Sequence, residues 1–344
     1  MMIKAFGVNQ FLPTGHPDCF AECYLSELSP GQRDLQVQVR AVSVNPIDCK
    51  MRASVQGRLM TPKILGWDVA GVVTAVGERV TLFKPGDDVY YAGSIARQGC
   101  NSEYHWVDER IVGHKPRSLS FEESAALPLT TITAWESLFE RLNISPEPRS
   151  NDANILIIGG AGGVGSMAIQ LAKYAGLRVI ATASRDVSRQ WCMQLGASRC
   201  VNHHGDLRVE LERLGVAAVD YILCLNDTNH YWQVMADVIK PQGSICAVVS
   251  TKEPPDLNLL KNKSVTFAWE FMFTKALYGT GDMISQHMLL NQVAQLVDQG
   301  IVKTTMTEHL GAMNAANLAK AHERLESGKM VGKLVLSGVE SEVA

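Results

Sequence analysis

Residues 157–166 (IIGGAGGVGS) limit the possible folds of this chain more than any other stretch. They place five glycines within seven residues, directly after an apolar run and before an amphipathic helix pattern. Gly160, Gly162 and Gly165 fit the spacing GxGxxG. In that pattern the first glycine permits a tight turn, the second lets the backbone approach a pyrophosphate, and the third lets the helix pack on the strand. The stretch predicts a dinucleotide site, and the alternative is a purely structural glycine turn.

The start of the helix that follows this loop is the expected contact for the phosphates of the ligand. The backbone N–H groups of Gly163, Val164 and Gly165 would have no partner within the helix, and the helix dipole favours negative charge there. We therefore expect the ligand to lie against backbone amides rather than against long side chains.

The end of the next predicted strand, residues 179–183, indicates which nucleotide is bound. An Asp or Glu about 20 residues after the glycine loop holds the ribose 2′-hydroxyl of NAD in such sites. Here the chain reads Ser184 and Arg185, with Arg189 four residues later, and the forked guanidinium donors suit a 2′-phosphate. We therefore expect NADPH. Asp186 leaves an alternative open, since an Asp there can hold the ribose or cap the following helix.

The charge of the chain bears on its possible partners. The 344 residues carry a formal net charge of −3, with 46% hydrophobic and 19% charged residues. This balance gives no electrostatic reason to expect nucleic acid or an anionic membrane, and a small-molecule substrate is expected instead. The N-terminal residues lack the pattern of a secretory signal, and the eight cysteines contain no CxxC pair. We expect reduced cysteines and a cytoplasmic protein.

Two kinds of pattern follow one another along the chain. The first third reads as short strands separated by glycine and proline turns, with period-two alternation at residues 35–44. A helix is predicted over residues 121–142 except at Pro128. Strand and helix patterns alternate over residues 155–249, which predicts a parallel sheet covered by helices on both faces. The closing strand, residues 333–337, is expected to return to the first domain.

Six short motifs, spread over nearly the whole chain, occur in a distinctive order. They are VNPID (44–48), ILGWDVAGVV (64–73), KPGDDVY (84–90), AALPLTTITAWESL (125–138), GGAGGVGSMAIQLAK (159–173) and GKLVL (332–336). Together they resemble the medium-chain dehydrogenase/reductase superfamily, specifically its quinone-oxidoreductase branch of zeta-crystallin-like and zinc-type alcohol dehydrogenase-like proteins. An ordered set of this extent is more specific than any one motif.

The resemblance implies a fold in two parts. A GroES-like catalytic domain of partly open β-barrel type, residues 1–127, is completed by a C-terminal segment, residues 272–344. A Rossmann domain with a doubly wound parallel α/β sheet, residues 128–271, is inserted and binds NADPH. The resemblance also implies an active site in the cleft between the domains and a homodimer formed through the last Rossmann strand. That strand is predicted over residues 264–273, with a buried central strand as the alternative.

Many members of the superfamily hold a catalytic zinc ion, so the resemblance also assigns positions to its ligands. The catalytic cysteine corresponds to Asn45, the histidine of the Gly-His-Glu motif to Trp67, and the third ligand falls near Leu129. Neither Trp nor Leu ligates zinc, and a carboxamide is a poor substitute for a thiolate. The structural zinc lobe needs four closely spaced cysteines, whereas that region has only Cys100. We therefore expect a protein without zinc.

Three residues near the first motif are candidates for catalysis. Asn45 is a candidate for orienting the nicotinamide amide or donating to the substrate oxygen, and its alternative role is a turn cap before Pro46. Lys50 occupies the position where some reductases of this branch place a tyrosine proton donor, and its alternative is an exposed surface lysine. Asp48 is expected to organise local hydrogen bonds.

Two further residues are candidate contacts of the cofactor. Thr133 lies in the segment that resembles the nicotinamide-facing helix of the family. Asn226 follows a predicted strand at its carboxyl end, where open α/β sheets bind ligands. For both residues the alternative is an ordinary capping or helix-facing role.

These residues predict reduction of a quinone or an α,β-unsaturated carbonyl compound by hydride transfer from NADPH, without zinc. Zinc polarises an alcohol or carbonyl oxygen, so a metal-free site favours conjugated acceptors, which delocalise the charge of the hydride onto an oxygen. Two alternatives stay open. One is a zinc-dependent alcohol dehydrogenase, and the other is a non-catalytic NADPH-binding sensor or structural protein.

Overall fold

The structure, a computed structural model, describes residues 2–26 and 31–340. The strands are β1 (Met2–Val8), β2 (Ala21–Ser26), β3 (Asp34–Ser43), β4 (Lys63–Ile64), β5 (Val69–Val76), β6 (Asp88–Tyr91), β7 (Tyr104–Asp108), β8 (Val112–His114), β9 (Asn154–Ile158), β10 (Arg178–Thr182), β11 (Arg199–Val201), β12 (Val219–Cys224), β13 (Ile239–Ala247), β14 (Thr266–Trp269), β15 (Met306–Ala312) and β16 (Lys333–Ser337). The α-helices are α1 (Pro46–Ala53), α2 (Phe121–Ala125), α3 (Pro128–Trp135), α4 (Gly163–Tyr174), α5 (Asp186–Leu195), α6 (Leu207–Arg213), α7 (Thr228–Val238), α8 (Asn258–Lys261), α9 (Thr274–Tyr278), α10 (Ser285–Asp298) and α11 (Ala315–Glu326).

The chain divides into two units. The first unit contains Met1–Leu129, Phe273–Gly300 and Thr304–Ala344, and the second contains Thr130–Met272 and Ile301–Lys303. These boundaries lie one or two residues from those expected from the resemblance, apart from the short segment Ile301–Lys303. The Lys303 N–H donates to Gln170 Oε1 (2.8 Å), and Gln170 Nε2 donates back to the Lys303 carbonyl (3.2 Å), which ties that segment to α4 of the second unit.

The first unit is built on two sheets. One has the order β2-β1-β4, and the other runs β15-β16-β3-β5-β6-β8, with β7 also paired to β3. In β3 the first residues alternate between half-buried and buried side chains, which confirms the predicted period of two. β16 pairs antiparallel with β3, Leu336 facing Val42. The prediction that the C-terminal strand returns to the first domain is therefore confirmed.

The second unit holds a six-stranded parallel sheet with the order β11-β10-β9-β12-β13-β14. Strand order reverses at β9, so the chain winds to both sides of it, as in a doubly wound sheet. The strands are apolar on both faces; β9, for example, buries Ile155–Ile158 completely. One face packs against α6 and α7, which contribute Leu207, Leu211 and Met235 to the core. This mixed α/β fold with a GroES-like unit and a Rossmann sheet was predicted and is confirmed.

The helix predicted over residues 121–142 is divided into three parts. α2 begins with reciprocal hydrogen bonds between Ser120 and Glu123 and ends before Pro128, because proline lacks an N–H and disfavours helical backbone in the preceding residue. After α3 the chain forms a π-helical segment, Glu136–Arg141. The sequence pattern did not predict this segment.

The last strand of the parallel sheet differs from its prediction. A strand was expected over residues 264–273, but β14 spans only Thr266–Trp269. Ser264 has a φ of 51°, in the left-handed region, which a strand does not accommodate. β14 lies at the edge of the sheet, so the alternative of a buried central strand is wrong. Trp269 and Phe271 are 45% and 44% exposed.

No helix of the described residues combines the length and the apolar character of a membrane-crossing segment.

Candidate functional site

The glycine loop lies in the second unit, between β9 and α4. Gly159 has a φ of 89° and makes the turn out of the strand, and its N–H donates to Thr182 Oγ1 (3.0 Å) at the end of β10. The prediction gave the turn to Gly160, which is wrong. A Cβ on Gly160 would lie 2.7 Å from the Ala181 Cβ, so that glycine is needed for close packing against β10.

The other two glycines of the fingerprint have contrasting surroundings. A Cβ on Gly165 would overlap the carbonyls of Gly159 and Gly160, which agrees with its predicted role in packing the helix against the loop. A Cβ on Gly162 would meet only the Gly159 carbonyl oxygen, at 3.6 Å. The protein's own packing therefore leaves space over Gly162, as a closely approaching ligand would require.

The first turn of α4 begins beside this space. Gly162 is the N-cap residue and has no side chain to cap the helix, so the N–H groups of Gly163, Val164 and Gly165 have no side-chain cap from this residue. Amides at a helix start suit a phosphate, and the helix dipole adds to the attraction. These residues fit the pyrophosphate of a dinucleotide cofactor.

The residues expected to select the nucleotide lie after β10. Ser184 follows the strand, Arg185 is the N-cap residue of α5, and Arg189 is exposed on the first turns of that helix. Asp186 is the first residue within α5, so the alternative that it is the N-cap is wrong. Its exposed carboxylate stays a candidate contact for the ribose.

A histidine not chosen from the sequence lies near Arg185. His203 follows β11 and is half-buried, with its Nδ1 atom buried and without a hydrogen-bond partner among the described residues. Burial and the positive charges of His204 and Arg185 lower the pKa of His203. The two adjacent histidines gave no signal in the sequence that singled out His203.

Asn226 and Thr133 occupy different surroundings. Asn226 is exposed after β12, and its Cβ would lie 3.9 Å from a Cβ on Gly159, so the fold brings it beside the glycine loop. Its Oδ1 accepts a hydrogen bond from the Asp227 N–H (2.9 Å). Thr133 is buried in α3, 6% exposed.

A buried charged cluster lies in the first unit, and we call Asn45, Asp48, Asp68 and Lys333 the lysine–carboxylate cluster. Lys333, at the start of β16, is 4% exposed. Its Nζ donates to Asn45 Oδ1 (2.6 Å), to Asp68 Oδ2 (3.1 Å) and to the Val44 carbonyl (2.9 Å). Asn45 Nδ2 donates in turn to Asp68 Oδ2 (2.8 Å). Both polar atoms of the Asn45 carboxamide are therefore occupied.

The two carboxylates of the cluster also bind backbone groups. Asp48 accepts from the N–H groups of Asn45 (2.5 Å) and Gly66 (3.0 Å), and Asp68 accepts from the Leu129 N–H (2.7 Å). Burial raises the pKa of Asp48 to about 7, against the lowering effect of the Asn45 N–H and of Lys333. Burial likewise raises the pKa of Asp68, while the Lys333 ammonium lowers it. Asp48 lies where it was expected, within a local hydrogen-bond network.

The positions assigned to zinc ligands converge on this same cluster. Asn45 belongs to it, the Leu129 backbone binds it, and Trp67 precedes Asp68 with its Nε1 donating to the Ser94 carbonyl (3.2 Å). The ammonium of Lys333 already supplies a positive charge against Asn45 and Asp68. Within residues 2–26 and 31–340, no three His, Cys, Asp or Glu side chains are grouped to hold a metal ion. The donor set does not fit zinc.

Lys50, the third catalytic candidate, lies on the last turns of α1 and is exposed. The lysine that reaches the cluster is Lys333, which the sequence analysis did not select, and Asp68 was also missed. Lys333 and Asp68 both lie within the motifs that carry the family resemblance, next to strongly apolar residues. A charged residue in an apolar strand pattern is the signal that predicts a buried ion pair.

Comparisons with known proteins agree with this two-part description. Residues 31–127 match the family described as "Alcohol dehydrogenase GroES-like domain", and residues 195–336 match "Zinc-binding dehydrogenase". A zinc-type alcohol dehydrogenase-like protein of Staphylococcus epidermidis (strain ATCC 12228 / FDA PCI 1200) is 40% identical, over 97% of this chain and 99% of that protein.

Two solved structures show the same fold. One, from Rhizobium etli CFN 42 and provisionally described as a zinc-dependent alcohol dehydrogenase, is 45% identical with a TM-score of 0.93 and covers 99% of both chains. The quinone oxidoreductase from Coxiella burnetii is 26% identical with a TM-score of 0.78, over 98% of this chain and 99% of that chain. The chain belongs to the medium-chain dehydrogenase/reductase superfamily of oxidoreductases, in its quinone-oxidoreductase-like branch.

Proposed function

We propose that this protein reduces quinones or α,β-unsaturated carbonyl compounds by hydride transfer from NADPH, without a zinc ion. The observation that carries the proposal is the lysine–carboxylate cluster, in which Lys333 Nζ lies 2.6 Å from the oxygen of Asn45, the residue at the position of the family's catalytic cysteine ligand. A second cation at this place would be repelled by the ammonium and would find no thiolate or imidazole.

The absence of metal ligands limits the substrates that the site can reduce. Without a Lewis acid, the oxygen that gains negative charge must be stabilised by hydrogen-bond donors and a proton source. Quinones and enones need the least help, because conjugation spreads that charge. The similarity to the quinone oxidoreductase of Coxiella burnetii supports this substrate class.

The cofactor is proposed to lie on the second unit. NADPH supplies the hydride when bound. The start of α4 would hold its pyrophosphate. Arg185 and Arg189 would bind its 2′-phosphate, with Ser184 as a further donor. Asn226 would contact the part of the cofactor that lies beside the glycine loop. Thr133 is proposed to contact the nicotinamide portion.

Asn45 and Asp48 are proposed to act as positioning residues rather than as groups that touch the substrate. Asn45 is 1% exposed and uses its carboxamide oxygen for Lys333 and its nitrogen for Asp68. Asp48 accepts two backbone hydrogen bonds. The exposed Lys50 stays a candidate proton donor, to be tested by its replacement with methionine.

We also propose that the protein is a homodimer in a reducing, cytoplasmic compartment. The edge strand β14, flanked by the exposed Trp269 and Phe271, supports pairing with a second copy. All eight cysteines are free, as reduced thiols are in such a compartment. Sedimentation measurements on the protein and on the Trp269→Arg variant test the dimer, since a charge on this edge should favour the monomer.

The decisive experiment measures NADPH oxidation with a panel of quinones and enones, alongside the zinc content of the purified protein. We expect turnover without stoichiometric zinc. Stoichiometric zinc with oxidation of simple alcohols would instead indicate a zinc-dependent alcohol dehydrogenase. NADPH binding without hydride transfer to any acceptor would indicate a non-catalytic sensor or structural protein.

A matched pair of glycine variants connects turnover to the proposed cofactor position. Gly162→Val places its side chain in the open space beside the start of α4, whereas Gly15→Val adds the same side chain at a loop position with no atom within 4 Å of the new Cβ. We expect the first variant alone to lose NADPH binding and turnover. Unchanged NADPH affinity in a folded Gly162→Val protein would contradict the proposal.

A further inference from the structure

The turn of the glycine loop is held by a side chain from the neighbouring strand. Thr182, the last residue of β10, is 2% exposed, and its Oγ1 accepts a hydrogen bond from the Gly159 N–H (3.0 Å). Gly159 has a φ of 89°, and its carbonyl accepts a hydrogen bond from the Gly162 N–H (3.2 Å). Thr182 therefore holds the turn at Gly159, and through that turn the backbone of Gly162.

Gly162 is held from its other side by side chains of α4 and α5. Its carbonyl accepts two hydrogen bonds from Ser166 in α4, one from the backbone N–H (2.8 Å) and one from the hydroxyl (2.7 Å). Ser166 Oγ accepts a further hydrogen bond from the indole N–H of Trp191 (2.8 Å), which lies in α5. Side chains from β10 and from α5 thus reach the same glycine, each through one intermediate residue.

The same strand and helix lie on either side of the residues proposed to select the nucleotide. Thr182 comes two residues before Ser184, and Trp191 lies in the helix whose N-cap residue is Arg185. Hydrogen bonds weaken steeply when the distance or angle between donor and acceptor changes. The two series of hydrogen bonds therefore favour one arrangement of the glycine loop relative to the segment that follows β10.

We propose that Thr182 and Trp191 are positioning residues of the cofactor site, which act through Gly159 and Ser166 to hold the backbone of Gly162 in the conformation that binds the pyrophosphate. This inference rests on the proposed function, since it concerns the same NADPH site. A backbone that already has its bound conformation loses less conformational freedom on binding, which strengthens binding. Variants that keep the shape of the side chain and lose only the polar atom should therefore lose this effect.

The first test needs no cofactor. Amide hydrogen exchange, followed by mass spectrometry of peptides that contain residues 157–166, compares the unmodified protein with Thr182→Val, which has no acceptor for the Gly159 N–H. We expect faster exchange in Thr182→Val and unchanged exchange in Thr182→Ser, which keeps the hydroxyl. Thr305→Val is the control, because the Thr305 hydroxyl is also buried and bonds the Ala126 carbonyl (3.2 Å), in the first unit. Unchanged exchange in a folded Thr182→Val protein would overturn the role of Thr182.

The same measurement on Trp191→Phe tests the other side of the loop. Phenylalanine keeps an aromatic ring but has no N–H, so Ser166 Oγ loses the donor that fixes its orientation. We again expect faster exchange in peptides that contain residues 157–166. Trp232→Phe is the matched control, since Trp232 lies in α7 and its Nε1 donates to the Asp256 carbonyl (3.0 Å). Equal exchange of these peptides in the two phenylalanine variants would refute the role of Trp191.

The second test measures the affinity of Thr182→Val for fragments of the cofactor by equilibrium titration. ADP carries two adjacent phosphates for the glycine loop, whereas adenosine 2′-monophosphate carries only the phosphate proposed to bind Arg185. We expect ADP and NADPH to bind roughly twofold to tenfold more weakly, because one ordinary hydrogen bond is lost, and adenosine 2′-monophosphate to bind as it does to the unmodified protein. Undiminished ADP affinity, or equal losses for both fragments, would contradict a specific effect on the loop.

The two proposals fail in different ways. An unmodified protein that binds neither ADP nor NADPH would contradict the proposed function. The hydrogen-exchange measurements would still decide whether Thr182 and Trp191 hold the glycine loop, because they are made on the protein alone.

Discussion

The glycine loop and the lysine–carboxylate cluster are built in opposite ways. In the loop, the space over Gly162 exists because the residue has no Cβ. The cluster instead consists of buried charged and polar side chains, with Lys333, Asn45 and Asp68 drawn from positions far apart in the sequence. The first arrangement is local to one turn, and the second exists only after the unit has folded.

This difference predicts different consequences of mutation. Changes at the open part of the loop should affect ligand binding and leave stability nearly intact. Changes in the cluster should affect stability first, because each buried charge relies on its partner. The following predictions test that separation, beginning with the largest effect.

Lys333→Met should destabilise the protein by about 3–5 kcal/mol, since it leaves Asp68 buried without its cation. The measurement is the free energy of unfolding in urea. Lys50→Met, at an exposed position, is the control and should change it by less than about 0.5 kcal/mol. If Lys333→Met lowered the free energy of unfolding no more than the control does, the cluster would contribute no more to stability than an exposed residue.

Arg185→Ala should weaken NADPH binding roughly tenfold to a hundredfold, because the loss of a hydrogen bond to a charged group costs about 1.5–3 kcal/mol. NADH affinity should stay the same, because NADH lacks the 2′-phosphate. Equilibrium titration with both nucleotides provides the measurement, and Arg199→Ala, an exposed arginine on β11, is the control. Equal losses for the two nucleotides would show that Arg185 does not select NADPH.

Gly165→Ala should cost about 1–3 kcal/mol of stability, because the new Cβ would lie 2.6 Å from the Gly160 carbonyl oxygen and too close to that of Gly159. Gly162→Ala, whose Cβ meets only one oxygen at 3.6 Å, should unfold at nearly the same temperature as the unmodified protein. Thermal denaturation compares the two. Similar midpoints for both variants would mean that the two glycines do not have separate roles.

Asp48→Asn should alter the pH dependence of stability. The pKa of Asp48 is raised to about 7, above its usual 3.8, so the folded state binds more protons than the unfolded state between those values. The contribution of Asp48 to the free energy of unfolding is fully present below about pH 4. It is lost as the pH rises from about 4 through 7, by roughly 1 kcal/mol per pH unit. Unfolding free energies between pH 4 and 8 in both proteins measure the difference. The exposed Asp18→Asn variant should show the slope of the unmodified protein.

The order of strands and helices followed from sequence patterns where burial is uniform. β16 occupies the predicted residues 333–337, and β10 lies within one residue of the predicted 179–183, because buried strands are continuously apolar. Predictions were wrong where a single backbone angle or a short pairing decides the structure. β11 has three residues and was missed, and β14 is shortened by the left-handed backbone at Ser264.

The candidate site was predictable in the same uneven way. The loop was identified from its spacing, although the turn belongs to Gly159 rather than to Gly160. In the cluster, Asn45 and Asp48 were selected but Asp68 and Lys333 were not, since nothing in a linear pattern shows that residues 68 and 333 share one hydrogen-bond network.

The sequence by itself determined the parallel sheet, the glycine turn and the lack of zinc-ligating residues at three positions, because these depend on periodicity, backbone freedom and side-chain chemistry at single sites. Only the tertiary structure decided which charge neutralises Asp68 and which glycine makes the turn. Those outcomes depend on distances between atoms that the chain brings together on folding, and burial then fixes how strongly the groups interact.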